Sequence, residues 1–158
     1  CAGEPMLAHK ASHEARTAVE AALGKPAEFD KLCIPAVVFT DPQVASVGMT
    51  EAQARAAGHS VRTSVLSLDN VPRALAARDT RGLIKLVADG STRKLLGAHI
   101  LAPEGADSIQ TAALAIRCGL TIDDLSETIF PYLTTVEGLK LAAQTFDRDV
   151  KKLSCCAG

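Results

Sequence analysis

The sequence predicts an α+β fold, an antiparallel sheet flanked by helices and preceded by a separate helix. Three observations predict it. The order of patterns is one helix, a linker, then strands with helices appended, which differs from the regular strand–helix alternation of a doubly wound domain. The apolar runs LIKLVAD (83–89) and LLGAHILA (95–102) are joined by the polar turn DGSTRK, the signature of antiparallel partners. Across 158 residues, 47% are apolar and 22% charged, enough for one packed core. Aromatic residues are only 3%, so that core is aliphatic.

Each element follows from a local pattern. Residues 5–23 are expected to be helical, with Pro5 in the first turn, Leu7, Ala11, Ala15, Ala18 and Ala22 as an apolar stripe, and Gly24 and Pro26 ending it. Residues 25–35, with Pro26 and Pro35, form a linker. AVVFT (36–40) is a short strand stopped by Asp41-Pro42, and VASVGM is a second extended piece. Thr50 caps a helix over EAQARAAG that closes at Gly58. SVRTSVLSL (60–68) alternates apolar and polar, as a half-buried strand does, and DNVPRALAARDT reads as an irregular connection. A helix over 105–118 rests on Ile109, Ala112, Ala113 and Ile116 and closes at Gly119. Thr121 caps a short helix over Ile122 to Thr128. The last helix spans 135–146 and offers Val136, Leu139, Leu141, Ala143 and Phe146 for packing. The tail DRDVKKLSCCAG is polar.

Charge and composition exclude several classes. Seventeen Lys+Arg against 18 Asp+Glu give a net charge of -1, so neither nucleic acid nor an anionic membrane is expected as a partner. No apolar run reaches the ~18 residues a spanning helix needs, and no segment has the charged head, apolar middle and small-residue cleavage site of a secretory signal. Five cysteines, two of them adjacent, do not form a disulfide framework; they imply free thiols in a reducing, cytoplasmic compartment. The chain opens on Cys1, which suggests a piece of something longer. No G-x-G-x-x-G, Walker loop or C-x-x-C occurs.

The stretches FTDPQVASVGMTEAQA, RGLIKLVAD, LLGAHILAPEGADSIQTAALAI and FPYLTTVEGLKLAAQ resemble the C-terminal interface domain of the flavin-dependent disulfide oxidoreductases. That family includes glutathione reductases, dihydrolipoamide dehydrogenases and mercuric reductases. PMLAHKASHEA is similar to the helix that follows the family's second flavin-contact loop, and LDNVPRALA with KLSCCAG resembles the mercuric reductase branch. The resemblance implies residues 1–30 as a helical remnant of an FAD-binding domain, 31–146 as the dimerisation domain and 147–158 as a flexible tail. It also implies a homodimer, a longer flavoenzyme chain, and reduction of Hg(II) to Hg(0) by NADPH through FAD. The family's Gly-rich loops and its redox-active C-x-x-x-x-C do not occur in these residues, so this stretch by itself is expected to be inactive. The rival readings are a dimerisation module with no metal role, a dihydrolipoamide or glutathione reductase-like enzyme, and a small soft-metal carrier.

Several residues carry the chemistry. Cys155 and Cys156 form a vicinal thiol pair, and Hg(II) is a soft ion that favours two thiolates. Lys151 and Lys152 favour the thiolate form, while Ser154, Ala157 and Gly158 leave the end of the chain little to pack. The resemblance implies that this pair serves the other subunit of the dimer. Tyr132 stands where dihydrolipoamide dehydrogenase and glutathione reductase have a catalytic His, five residues before Glu137. A phenol is a poor base at neutral pH but can donate to a thiolate or sit against a metal-bound sulfur. Glu137, its His partner missing, either faces solvent or caps its helix. Met6, Leu7, Ala8 and His9 match the helix start that contacts the flavin through backbone N–H groups. His9 and His13 share a helix face expected to be solvated, and His59 and His99 are structural. Cys33 and Cys118 are expected to be buried, inert thiols. Arg73 pairs with a carboxylate or with a neighbouring subunit.

Overall fold

The computed structural model describes residues 3–29, 33–150 and 153. Five strands form one antiparallel sheet in the order β1-β2-β5-β4-β3. They are β1 (Ala36–Val38), β2 (Gln43–Gly48), β3 (Val61–Ser67), β4 (Leu83–Asp89) and β5 (Leu95–Ala102). Six helices accompany them among the described residues: α1 (Ala8–Ala22), α2 (Glu51–Ala56), α3 (Pro72–Ala77), α4 (Gly105–Arg117), α5 (Ile122–Glu127) and α6 (Glu137–Gln144).

The expected hairpin is the centre of the sheet. β4 and β5 pair with Leu86 opposite Ala98 and Ile84 opposite Ile100. Period-two alternation puts Leu66, Ile84, Leu86, Ala98 and Ile100 on one face, all fully or nearly fully buried. Helix α4 lies on β2 and β5, α6 lies on β3 and β4, and α5 packs on α6. Ile109, Leu125, Leu139 and Leu141 complete an aliphatic core, consistent with the near absence of aromatics. Small residues set the spacing. A Cβ at Gly97 would stand 2.0 Å from the Met49 carbonyl oxygen, and one at Gly138 would meet Ile84 Cδ1 at 2.5 Å. Gly138 is therefore what lets α6 approach the sheet.

Both Thr caps form as expected. Thr50 and Thr121 accept from the amides of Gln53 and Asp124, whose side chains bond back to the cap residues. Such capping boxes contribute about 1 kcal/mol each.

Four expectations are corrected. The connection after β3 is not irregular: a 3₁₀ turn, Leu68–Asn70, leads into α3. Pro72 opens that helix because its fixed φ suits the first helical position and its missing N–H would have had no intrahelical partner there. Arg78 closes it in the left-handed region at φ 55°. Helix α1 starts at Ala8, after Pro5, and its stripe is not a core: Ala11, Ala15, Ala18 and Ala22 are exposed. The buried residue is Lys10, whose ammonium meets Glu14 at 2.9 Å. Among the described residues nothing covers the stripe. Cys118 is exposed rather than buried, because it is the C-cap of α4 and falls past the face that meets the sheet; Cys33 is half-buried. The last helix is also shorter than expected, with Thr135 and Val136 before it and Thr145 and Phe146 after it.

Candidate functional site

Residues Thr128 to Val136 link α5 to α6 and present Tyr132. Phe130 and Val136 both pack against the core, so the segment between them bows outward. Thr134 donates its hydroxyl to the Pro131 carbonyl at 2.8 Å and accepts from the Glu137 amide at 3.3 Å. Leu133 takes the left-handed conformation, φ 62°, that tightens the turn. The Tyr132 side chain is consequently 63% exposed, with Ile129 at 93% beside it in the chain. A phenol held outward in this way is available to a group from another chain.

Glu137 neither faces solvent nor acts as a cap. It is in the first turn of α6 and buried, and its Oε2 has no hydrogen-bond partner among the described residues. Close packing of α6 on the sheet draws the side chain in with the helix. No hydrogen bond joins it to Tyr132, so the two residues matched by spacing are not brought together. An uncompensated buried carboxylate oxygen carries a desolvation penalty of roughly 1–3 kcal/mol or more, and a group from outside these residues would relieve it.

The first turn of α1 forms a second feature. Leu7 is its N-cap and offers no side-chain hydrogen bond, so the initial amides of the helix point out of its end. They open on a hollow of about 590 Å³ lined by Gly3 to Ala8, Lys10, Ala11 and Glu14. Met6 is exposed at its mouth. The Met6 amide donates to Glu4 Oε2 at 3.2 Å and the Leu7 amide to the Pro5 carbonyl at 3.1 Å, so of the expected Met6–His9 set it is Ala8 and His9 whose backbone N–H groups fit a flavin contact. His9 donates to the Pro35 carbonyl at 2.7 Å, and the His13 ring lies 5.6 Å from Phe29. Among the described residues no cluster of three or more His, Cys, Asp or Glu could hold a metal ion. Cys155 and Cys156 lie outside the described residues, as do Lys151 and Lys152.

A third feature stands where the C-terminal segment leaves the domain. Asp147 accepts from Arg62 at 3.0 Å and from Arg93 at 2.5 Å. Arg93 also forks onto Asp123 at 2.5 and 2.7 Å. These bonds hold the Asp147 and Asp123 carboxyls below the usual carboxylate range, Arg93 being the first cause for each. Sequence reading missed this cluster: its bonded pairs lie 30 to 85 residues apart, and no motif or period marks them.

The family model for the pyridine nucleotide-disulphide oxidoreductase dimerisation domain matches residues 34–143. The chain belongs to that family. It is 52% identical over 158 residues to the mercuric reductase of Acidithiobacillus ferrooxidans, covering 100% of this chain and 29% of that protein. LpdA from Mycobacterium tuberculosis is similar in structure, with TM-score 0.83, 28% identity, and coverage of 91% of this chain and 32% of that one. The HOCl-induced flavoprotein disulfide reductase RclA of Escherichia coli matches with TM-score 0.75, 30% identity and coverage of 82% and 30%. The chain thus spans under a third of the curated relative's length. The α+β fold expected from the sequence is the fold of this dimerisation domain. No helix among the described residues is long and apolar enough to cross a membrane.

Proposed function

We propose that this chain is the C-terminal, dimer-forming part of a homodimeric, cytoplasmic enzyme that reduces Hg(II) to Hg(0) with NADPH through FAD. The observation that carries it is the 52% identity, along the whole chain, to a protein named mercuric reductase. The net step is Hg(II) plus NADPH giving Hg(0), NADP⁺ and a proton, a two-electron transfer. FAD, when bound, supplies the relay of those electrons from the nicotinamide to a dithiol, and within the Met6–His9 turn the amides of Ala8 and His9 are the groups of this chain that would hold it. On this reading α1, within residues 1–30, belongs with the flavin domain, which accounts for the exposed alanine stripe. Residues 31–146 are the dimerisation domain, and 147–158 are the C-terminal segment that carries the Cys155–Cys156 pair.

Cys155 and Cys156 act as a paired soft ligand. Two thiolates give Hg(II) the two-coordinate environment it favours, and they pass the ion on by ligand exchange. Each exchange forms one S–Hg bond as another breaks, with no change in oxidation state. The receiving groups are the redox-active thiols of the partner subunit. Tyr132 is the phenol that steadies the ion's sulfur ligands on arrival, by donating its O–H to a thiolate. Its outward setting supports that role, and the second copy is what would cover Ile129 and Leu133 around it. A His-based dithiol reductase is disfavoured because Tyr132 is a poor base at neutral pH.

The test is an Hg(II) titration of the reduced full-length enzyme, with and without Cys155→Ala and Cys156→Ala. Loss of one tightly bound Hg(II) per chain is expected in the double variant. Unchanged stoichiometry and affinity would remove the ligand assignment and leave a dimerisation module. The 158-residue chain alone should show neither flavin absorbance nor NADPH oxidation.

A further inference from the structure

We infer that His9 is a positioning residue for the flavin-contact turn: its ring pins the start of α1 to the dimerisation domain and so sets where the amides of Ala8 and His9 point. This role rests on the flavin-contact reading above and adds what aims the turn.

Helix α1 has two faces. Ala11 and Ala15 belong to the exposed stripe that the flavin domain covers on this reading. His9 and His13 stand two residues before them, about 200° round the helix, because each residue turns it by about 100°. That second face looks to the dimerisation domain. The His9 ring Nε2 lies 2.7 Å from the Pro35 carbonyl, 26 residues on, and the His13 ring lies 5.6 Å from Phe29. A carbonyl oxygen only accepts, so His9 Nε2 carries the proton in this bond, whether the ring is neutral or charged. The acceptor is itself held in place: Ala36, the next residue, opens β1 and pairs with Ser46 of β2. The bond therefore ties the helix start to the sheet.

Its position gives this bond its effect. His9 is the second residue of α1, so its amide and that of Ala8 have no carbonyl to meet within the helix. Lys10 donates to the Gly3 carbonyl at 3.1 Å and meets Glu14 at 2.9 Å, bonds that keep the shape of the entry turn. Placement against the domain is a separate matter. A hollow of about 420 Å³ lies between α1 and α4, lined by His9, His13, Phe29, Pro35, Ile109 and Gln110, so the helix does not pack flush on the domain there. Alanine side chains on the other face are too short to interlock deeply, and such a contact leaves a helix free to roll and slide a little. A short, directed bond beside the free amides removes that freedom at the turn itself. The His9 ring is exposed, so its loss leaves the core intact. Loss of one ordinary hydrogen bond changes an equilibrium about 2- to 12-fold.

The experiment uses the full-length enzyme, stripped of flavin and titrated with FAD while flavin fluorescence is followed. His9→Phe keeps a ring and loses the donor, whereas His9→Gln keeps a side-chain N–H. His9→Phe should raise the Kd for FAD about 2- to 12-fold, speed amide exchange over residues 11–13 and leave the melting temperature of the apoenzyme in place. His9→Gln should recover most of the affinity. Ala8→Pro checks the reading beneath. Proline suits the first helical position and the extended Leu7 suits the residue before it, so the change removes the Ala8 N–H and should also raise Kd. If Ala8→Pro weakens binding and His9→Phe does not, the turn holds the flavin and the positioning role of His9 is overturned. If Ala8→Pro leaves Kd unchanged, the flavin-contact reading falls and takes the role with it. Equal losses in His9→Phe and His9→Gln, unchanged exchange in His9→Phe, or a loss that comes with a lower apoenzyme melting temperature each overturn the role, the last by marking a merely structural residue.

Discussion

Gly97 offers a sharp test of how the sheet is assembled. It sits on β5 opposite Gly48 of β2, where the backbone at Met49 crosses close to it. A Cβ there would stand 2.0 Å from the Met49 carbonyl oxygen, 2.9 Å from its carbon and 3.0 Å from its nitrogen. All three are backbone atoms, so no side chain can swing away, and the strands must part by about an ångström. Overpacking costs about 1–3 kcal/mol, and contact with backbone on this scale belongs at the upper end. Unfolding entropy scales at about 2.1 cal/mol/K per residue. For 158 residues, each kcal/mol then moves Tm by ~3 °C. Gly97→Ala should therefore lower Tm by ~9 °C. Gly58 is the control: its φ is +87° with nothing within 4 Å of an added Cβ. Gly58→Ala meets only the left-handed penalty of about 1 kcal/mol and should lower Tm by ~3 °C. Thermal unfolding followed by circular dichroism reads both. If Gly97→Ala melts no lower than Gly58→Ala, the steric account of this contact is wrong.

Two more outcomes follow from local geometry. Asp89 caps the β4–β5 turn, accepting from the Ser91 and Thr92 amides and from His59 at 2.8 Å, which lowers its pKa to about 2, the Thr92 bond foremost. A depressed carboxylate stabilises the fold in full above its ordinary pKa and loses that contribution as pH falls toward the folded value. Asp89→Asn should thus lower the urea midpoint at neutral pH and flatten its fall between pH 3.8 and about 2; a parallel shift at every pH would refute the assignment. Cys118, exposed at the end of α4, should be alkylated in the native state well ahead of half-buried Cys33, as read by peptide mapping after brief labelling. Faster loss of the Cys33 thiol would contradict the placement of the two.

Legibility varied with the range of the interactions. The β4–β5 hairpin, the alternating strand β3 and both Thr caps rest on neighbours a few residues apart, so their signals were plain. Helix α3 was missed because DNVPRALAARDT reads as an irregular connection, a stretch too short to show a helical period, although Pro72 is its first helical residue. The α1 stripe had a correct period but no partner among the described residues, and periodicity cannot say what a face will meet. Glu137 and Tyr132 kept the family spacing of a paired dyad, yet burial of one and exposure of the other parts them.

What the sequence determined alone was local propensity, the antiparallel α+β plan and the residue types suited to soft-metal chemistry. These depend on side-chain identity and short spacing. The tertiary structure decided which faces were buried, that Cys118 is open and Glu137 is not, and that Arg62, Arg93, Asp123 and Asp147 meet at the root of the C-terminal segment. Those outcomes depend on contacts between residues far apart in the chain, and only the packed sheet and helices bring them within reach.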